Sequence, residues 1–154
     1  MSLYEILNKL NISYEEYSHQ AVYTVDEARQ IKLNIYGTGC KNLFLTDKQG
    51  GYYLVVLEEN KRANIKELSK SLSKKRLSFA SSDELKEILN LEPGSVTPLS
   101  IINDTKLKVT LLIDKPLDNN KILVHPNTNT KTLVINYSDL LRFIDYTNHK
   151  YILI

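Results

Sequence analysis

A chain of 154 residues with 42% hydrophobic and 25% charged residues has the size and balance of a globular domain with a buried core. This composition excludes extensive disorder, and the longest apolar runs are far too short to cross a bilayer. The first twenty residues carry acids where a signal peptide has an apolar segment, and one cysteine cannot form an internal disulfide. We therefore expect a cytoplasmic protein without a membrane segment.

The net charge is only +2, but the basic residues are concentrated in one segment. Residues 61–76, KRANIKELSKSLSKKR, hold seven Lys or Arg and one acid, so this segment carries +6 and the rest of the chain −4. Four of the basic residues recur every four positions, opposite an apolar helical stripe: Arg62, Lys66, Lys70 and Lys74. Four residues of helix rise about 6 Å, comparable with phosphate spacing along a nucleic-acid strand. The pattern fits binding to a phosphate backbone, with a solvated helix face as the alternative.

The first part of the chain alternates helical and strand patterns. Apolar residues at helical spacing predict a helix over residues 2–10, and Thr24 followed by Glu27 predicts a capped helix over 24–33. The apolar runs KNLFLTD and YYLVVL flank a glycine-containing turn and predict a β-hairpin. Two further helices are predicted, over residues 65–72 and 81–91.

Strand patterns dominate the second part of the chain. The segments LSII, LKVTLLID, KILVHP and KTLVIN are β-rich and bounded by turns. SDLLRFID at 138–145 predicts a short capped helix, and YILI predicts a closing strand. Without repeats or linkers, residues 1–154 are predicted to form a single α+β domain, in which helices flank a mixed β-sheet that curls toward a barrel.

The segment GTGCKNLFL offers a candidate binding lysine. Two glycines before Lys41 let the backbone approach a ligand, and the lysine supplies a mobile charge for a phosphate. The segment is not a P-loop, and a lysine at the start of a strand is commonly a surface residue. We interpret Cys40 as a buried or bystander thiol, since only the neighbouring lysine favours its thiolate.

The segment PGSVTP predicts a stiff loop. Pro93 and Pro98 each fix a φ angle, and Gly94 permits a positive φ. Such a loop presents backbone groups at low entropic cost to a water or an oxyanion, although a rigid connector is the default for so short a pattern.

Among the histidines, His125 is the candidate for function. It lies at the end of an apolar strand, where functional side chains are common, and a structural histidine is the alternative. His19 and His149 receive no chemical role. No cluster of His and Cys has metal-ligand spacing, so we expect no metal and no cofactor.

Five collinear segments resemble the YbaK/ProX family of trans-editing aminoacyl-tRNA deacylases, which is related to the insertion domain of bacterial prolyl-tRNA synthetases. The segments, within residues 22–136, are VYTVDEAR, CKNLFLTDKQGGYYLVVL, RLSFAS, PGSVTPLSIIND and HPNTNTKTLVI. The amino-acid sequences of PGSVTPLSIIND and HPNTNTKTLVI are most similar to the alanine-editing, PrdX-like branch of the family.

The resemblance implies a set of site residues. The family's strand-leading lysine falls on Lys41, its G-x-x-x-P loop on Gly94 to Pro98, and its histidine on His125. These positions predict Lys41, Gly94 and His125 as catalytic. The predicted substrate-binding residues are Thr24, Asn42, Ser95 and Pro98, although helix capping also explains Thr24.

The function implied by the resemblance is metal-independent hydrolysis of the ester in mischarged tRNA(Pro), with alanine as the wrongly attached amino acid. The expected partners are this tRNA and a prolyl-tRNA synthetase. A Cys-tRNA(Pro) deacylase, a catalytically silent tRNA-binding module and a small-nucleotide binder are the alternatives. The basic segment would then contact the acceptor stem.

Overall fold

The secondary structure of the computed structural model covers residues 1–74, 76–117 and 120–154. The α-helices described there are α1 (Leu3–Lys9), α2 (Val25–Gln30), α3 (Ile65–Ser71), α4 (Ser82–Leu89) and α5 (Tyr137–Tyr146). The strands are β1 (Glu15–Ser18), β2 (Cys40–Thr46), β3 (Tyr52–Glu58), β4 (Ser78–Phe79), β5 (Val109–Ile113), β6 (Lys121–Val124), β7 (Lys131–Asn136) and β8 (Lys150–Leu153). Short 3-10 helices span Leu33–Ile35, Pro98–Asn103 and Lys115–Leu117.

The strands form two sheets. A five-stranded mixed sheet has the order β4-β2-β3-β5-β8, with β3 parallel to β5 and β5 parallel to β8. A three-stranded antiparallel sheet has the order β1-β7-β6. A parallel bridge between Thr38 and Ile122 joins the chain just before β2 to β6. The start of β2 therefore runs beside β6, although the two belong to different sheets.

The five-stranded sheet is buried on both faces. Side chains alternate along a strand, so Leu54 and Val56 of β3 face the main core while Tyr53 and Val55 face a second, smaller core. Helices α1, α4 and α5 and the three-stranded sheet pack on the main core, and α3 packs on the smaller one. Burial on both faces explains why β3 is a continuous apolar run.

The α+β class with a mixed sheet is confirmed, and so are all five predicted helices, the hairpin and the closing strand. Ser81 and Glu84 form a capping box at the start of α4. Thr24 caps α2 by accepting a hydrogen bond of 3.1 Å from the N–H of Glu27. The assignment of residues 1–154 to one editing domain stays a prediction.

The strand predicted for LSII is wrong, because residues 98–103 form a 3-10 helix. Pro98 supplies a helical φ at its first turn, Thr97 Oγ1 accepts from the N–H of Leu99, and Ser100 Oγ donates to the carbonyl of Thr97. These local bonds override the apolar β pattern. The helix predicted over residues 138–145 also differs in its start. It begins at Tyr137, and its N-cap residue does not make the side-chain capping bond that was expected.

Two further expectations are corrected. The basic helix is shorter than its charge pattern suggested, since α3 ends at Ser71 and leaves Arg62 before it and Lys74 after it. The strands are also divided between two sheets, and the short strands β1 and β4 had no clear signal in the sequence.

Candidate active site

An open cleft of about 230 Å³ gathers most of the predicted site residues. It is lined by the start of α2, the start of β2, the loop before residue 98 and the end of β6. The predicted residues in it are Thr24, Lys41, Asn42, Gly94 and His125. All three predicted catalytic residues therefore meet in one place.

The parallel bridge between the two sheets brings Lys41 and His125 together. Each of them lies three residues after its bridged residue, Thr38 in one case and Ile122 in the other. Hydrogen bonds from Thr38 N–H to the carbonyl of Lys121 (2.8 Å) and from Leu123 N–H to the carbonyl of Thr38 (3.0 Å) fix this register. The two residues are thus carried to the same edge by backbone pairing.

Lys41 is half-buried and supplies a positive charge to the cleft. Within the described residues it makes neither an ion pair nor a hydrogen bond through its ammonium group. A lysine that is not engaged by protein carboxylates is available to an anionic ligand such as a phosphate.

His125 is held as a neutral imidazole. Its Nδ1 lies 2.9 Å from the carbonyl oxygen of Lys131, and because a carbonyl can only accept, Nδ1 carries the proton and donates it. Burial lowers the pKa of His125, and the nearby His19 lowers it further, while the bond to Lys131 opposes the shift. Nε2 therefore keeps its lone pair, and it has no partner among the described residues. This nitrogen can accept a hydrogen bond from a ligand or a water.

The loop of residues 92–98 is tied directly to this histidine. Thr97 is fully buried, and its Oγ1 donates a hydrogen bond of 2.6 Å to the carbonyl oxygen of His125. Gly94 has a φ of +90°, a conformation that favours glycine. A Cβ added there would lie 2.7 Å from the ring of Tyr23.

The same loop carries two free backbone donors. In the part of the chain that the structure describes, the N–H groups of Gly94 and Val96 have no hydrogen-bond partner. Both residues line the cleft. By contrast, Ser95 and Pro98 are buried, and neither is among the described residues that line the cleft. The loop therefore borders the cleft through Gly94 and Val96, and Ser95 and Pro98 are not among the described lining residues.

Glu59 is a cleft residue that sequence reasoning missed. Its side chain is only 10% exposed, and its Oε1 lies 2.6 Å from Asn34 Nδ2 and 3.5 Å from Arg29 Nε. Gly39 makes room for it, because an added Cβ at this position would collide with the carboxylate. The sequence predicted that Gly39 lets a ligand approach the backbone. In the structure, the space beside Gly39 is taken by the side chain of Glu59. Nothing in the segment EEN singles out Glu59.

Asn42 presents an unusual acceptor. Its Oδ1 is buried and has no hydrogen-bond partner among the described residues, although Asn42 lines the cleft. Leaving a buried acceptor unpaired costs about 1–3 kcal/mol, so such an atom in a cleft points to a ligand donor.

Cys40 and Thr24 have structural explanations. Burial raises the pKa of the Cys40 thiol to about 12, and the carboxylates of Glu59 and Glu58 contribute to the rise, so the thiolate is absent at neutral pH. This agrees with the interpretation of a bystander thiol. The hydroxyl of Thr24 bonds both the N–H and the side chain of Glu27.

A small inner pocket of about 50 Å³ lies behind the cleft and shares Asn42, Glu59 and His125 with it. Most of its remaining lining is apolar: Val22, Ala28, Ile31, Leu33, Leu123 and Val124. His19, which had received no role, also lines it, with Nε2 2.7 Å from Thr132 Oγ1. The inner pocket is much smaller than the cleft of about 230 Å³ that it adjoins.

The predicted tRNA-binding residues lie outside the described lining of this cleft. Lys66 and Lys70 are exposed on α3, and Arg62 is exposed before it. Lys74 instead pairs with Asp47 (3.3 Å), and Lys61 of the same segment pairs with the buried Asp114 (2.6 Å). Two of the seven basic charges are therefore partly neutralised within the protein.

The described residues offer neither a metal-binding cluster nor a membrane-spanning helix. Among residues 1–74, 76–117 and 120–154, no group of three or more His, Cys, Asp or Glu could hold a metal ion. No described helix has both the length and the apolar composition that crossing a bilayer requires.

Comparisons with known proteins identify the family and support the fold. Residues 19–143 match the model of the aminoacyl-tRNA editing domain. The prolyl-tRNA editing protein ProX of Acetoanaerobium sticklandii is 36% identical over 140 residues, covering 90% of this chain and 85% of that protein. The prolyl-tRNA synthetase associated domain-containing protein 1 of Danio rerio is 37% identical over 150 residues, covering 96% and 82%.

A solved structure, described as that of a proposed trans-editing enzyme for prolyl-tRNA synthetase, superposes with a TM-score of 0.74 at 17% identity, covering 96% of this chain and 90% of that one. At this identity the match supports the fold alone. The chain belongs to the aminoacyl-tRNA editing domain family, as the family match and the two relatives establish. The resemblance drawn from the five sequence segments is confirmed.

Proposed function

We propose that this protein is a trans-editing deacylase that hydrolyses the ester of mischarged tRNA(Pro), with Ala-tRNA(Pro) as its substrate. The observation that carries the proposal is the meeting of Lys41, the 92–98 loop and His125 in one cleft, which adjoins a small, partly apolar pocket. The printed name of ProX, a relative at 36% identity, supports the assignment to prolyl-tRNA editing.

The reaction needs an oriented water and a stabilised oxyanion. His125 Nε2 accepts a hydrogen bond from the water, whose oxygen attacks the carbonyl carbon of the ester. The free N–H groups of Gly94 and Val96 donate to the carbonyl oxygen as negative charge develops on it. The bond from the carbonyl carbon to the ribose oxygen breaks, and this oxygen takes the proton released by the water, with help from the neighbouring ribose hydroxyl. Lys41 holds the terminal phosphate.

The inner pocket explains why a second site improves selection against alanine. A proline-binding pocket rejects a smaller amino acid weakly, because a missing methylene is worth only about 1–3 kcal/mol. We expect this small pocket to accept a methyl group more readily than the larger pyrrolidine ring. Proline is then excluded by size, so the correctly charged tRNA survives.

The test is a deacylation assay with Ala-, Cys- and Pro-tRNA(Pro) and the purified protein. We expect hydrolysis of Ala-tRNA(Pro) and protection of Pro-tRNA(Pro). Lys41→Ala should lower kcat/KM at least tenfold, whereas Lys108→Ala, at an exposed site outside the cleft, should leave it unchanged. Faster hydrolysis of Cys-tRNA(Pro) than of Ala-tRNA(Pro) would identify Cys-tRNA(Pro) as the substrate instead. Hydrolysis of none of the three would indicate a catalytically silent tRNA-binding module. A synthetase partner and a cytoplasmic location stay predictions.

A further inference from the structure

Glu59 is a carboxylate in the active cleft for which the hydrolysis described above has no use. Its Oε1 contacts Asn34 and Arg29, but its Oε2 has no hydrogen-bond partner among the described residues. An ionised carboxylate has about four lone-pair sites, so the contacts to Oε1 leave much of its capacity unused. A buried negative charge is costly unless it is compensated, and Oε2 can take a further donor.

The surroundings of Glu59 hold this group in place. Gly39 lies against it, with no side chain that would push the carboxylate away, and the N–H of Glu59 donates to the carbonyl of Gly39 at 3.0 Å. The proximity of Glu59 adds to the effect of burial in raising the pKa of the Cys40 thiol.

A second acceptor lines the same two spaces. Asn42, whose buried Oδ1 has no partner among the described residues, and Glu59 both line the cleft and the inner pocket. Two acceptors beside a pocket for a small side chain suit a ligand group that only donates and carries positive charge. An ammonium group has three N–H donors and no acceptor, so it matches both residues.

We propose that Glu59, with Asn42, binds the free α-ammonium group of the aminoacyl ester. This inference rests on the proposed function. The cleft then has a negative group for the ammonium and a positive group, Lys41, for the phosphate of the same substrate end. The site selects a free amino acid ester and rejects esters whose α-nitrogen is blocked or replaced.

The experiment compares Ala-tRNA(Pro) with lactyl-tRNA(Pro), in which a hydroxyl replaces the α-ammonium group at nearly the same size. Each rate is divided by the rate of uncatalysed hydrolysis in the same buffer, because the ammonium group activates the ester by itself. We expect the wild type to prefer the alanyl ester by about 10- to 100-fold in kcat/KM, the range of a hydrogen bond to a charged group. Glu59→Gln should abolish this preference, mainly through KM, and leave the lactyl ester unaffected.

Two further variants separate binding from structure. Arg29→Met removes the ion pair that links α2 to Glu59 but keeps the carboxylate, so the preference for the alanyl ester should persist. Glu58→Gln is the matched control, since Glu58 bonds Asn60 and is not among the described residues that line the cleft. It should leave both rates unchanged.

Equal loss on both esters in Glu59→Gln, no loss on either, or loss of the preference in Arg29→Met would overturn the inference. Wild-type hydrolysis of both esters at equal normalised rates would overturn it while leaving the proposed function intact. Hydrolysis of neither would overturn both.

Discussion

Thr97 Oγ1 donates a hydrogen bond of 2.6 Å to the carbonyl oxygen of His125, across 28 positions of sequence. The bond is shielded from water, since Thr97 is fully buried. It fixes the loop that carries the free N–H groups of Gly94 and Val96 relative to the imidazole. In the proposed mechanism, this one side chain, which does not line the cleft, helps to set the distance between the water-orienting imidazole and the oxyanion donors.

Thr97→Val keeps the shape of the side chain and removes this donor. We expect the free energy of unfolding to fall by about 1–3 kcal/mol, because the carbonyl of His125 loses its donor and the buried N–H of Leu99 loses its acceptor. Deacylation should fall about tenfold at a temperature where the variant is fully folded, since the loop and the histidine are no longer held together. Urea denaturation and single-turnover deacylation measure the two effects. Thr110→Val, which breaks no side-chain hydrogen bond among the described residues, should change stability by less than about 0.5 kcal/mol.

Gly94→Val should damage activity far more than Val96→Ala. At Gly94 a side chain meets both a φ of +90° and the ring of Tyr23, which costs about 1–2 kcal/mol in backbone strain alone and shifts the loop. Val96 contributes its N–H to the cleft, and alanine retains that group. Comparable kcat/KM values for the two variants would indicate that the loop is only a structural connector.

Ile31→Ala should relax the size limit of the inner pocket. Ile31 lines this pocket and is half-buried, so its truncation adds space at moderate cost to folding. The ratio of Pro- to Ala-tRNA(Pro) hydrolysis should rise about tenfold, consistent with the value of one or two methylenes. The control is Ile35→Ala, at a site that is 80% exposed and outside the described lining. An unchanged ratio in Ile31→Ala would show that another pocket holds the amino acid.

Lys66→Glu with Lys70→Glu should weaken tRNA binding and reduce its dependence on salt. Both side chains are exposed on α3, where they can reach phosphates without breaking an ion pair among the described residues. Hydrolysis of a small alanyl ester should be spared. The same charge reversal at Lys106 and Lys108 controls for the change in net charge. An equal loss of tRNA binding in that variant would show that α3 is not a specific part of the tRNA interface. Lys74 is a poor choice, since its reversal also breaks the pair with Asp47.

Stability should depend on pH through His125. Its pKa is lower in the folded protein than the usual value of about 6.5, so the unfolded chain binds more protons as the pH falls through this range. The folded state therefore loses stability below about pH 6.5 and down to the folded pKa. His125→Gln removes the titrating group, so the fall in unfolding free energy between pH 7 and pH 5 should become smaller. Denaturant titrations at several pH values measure the slope, and an equal slope in both proteins would contradict the assignment.

Local chemistry allowed the sequence to predict most helices and the central hairpin. Capping residues such as Ser81 and Thr24 act within one turn of a helix, and the apolar run of β3 records its burial on two faces. The collinear family segments also pointed to Lys41, Gly94 and His125, which line one cleft in the structure, while their roles stay a prediction.

Other features depended on partners distant in sequence. LSII has a strand pattern, yet Thr97 and Pro98 turn it into a 3-10 helix that packs in the core. The charge pattern of residues 61–76 did not show that Asp47 and Asp114 take two of its lysines.

Sequence patterns alone identified the family, the five α-helices and the central hairpin, and they predicted three site residues that share one cleft, since these depend on local patterns and residue identities. The three-dimensional packing determines which groups line that cleft. The bridge of Thr38 to Ile122 sets Lys41 beside His125, and Gly39 leaves space for Glu59. Backbone pairing between two sheets, and the packing of a carboxylate over a glycine, are long-range contacts. Patterns of neighbouring residues in the sequence do not show which distant residues will make such contacts.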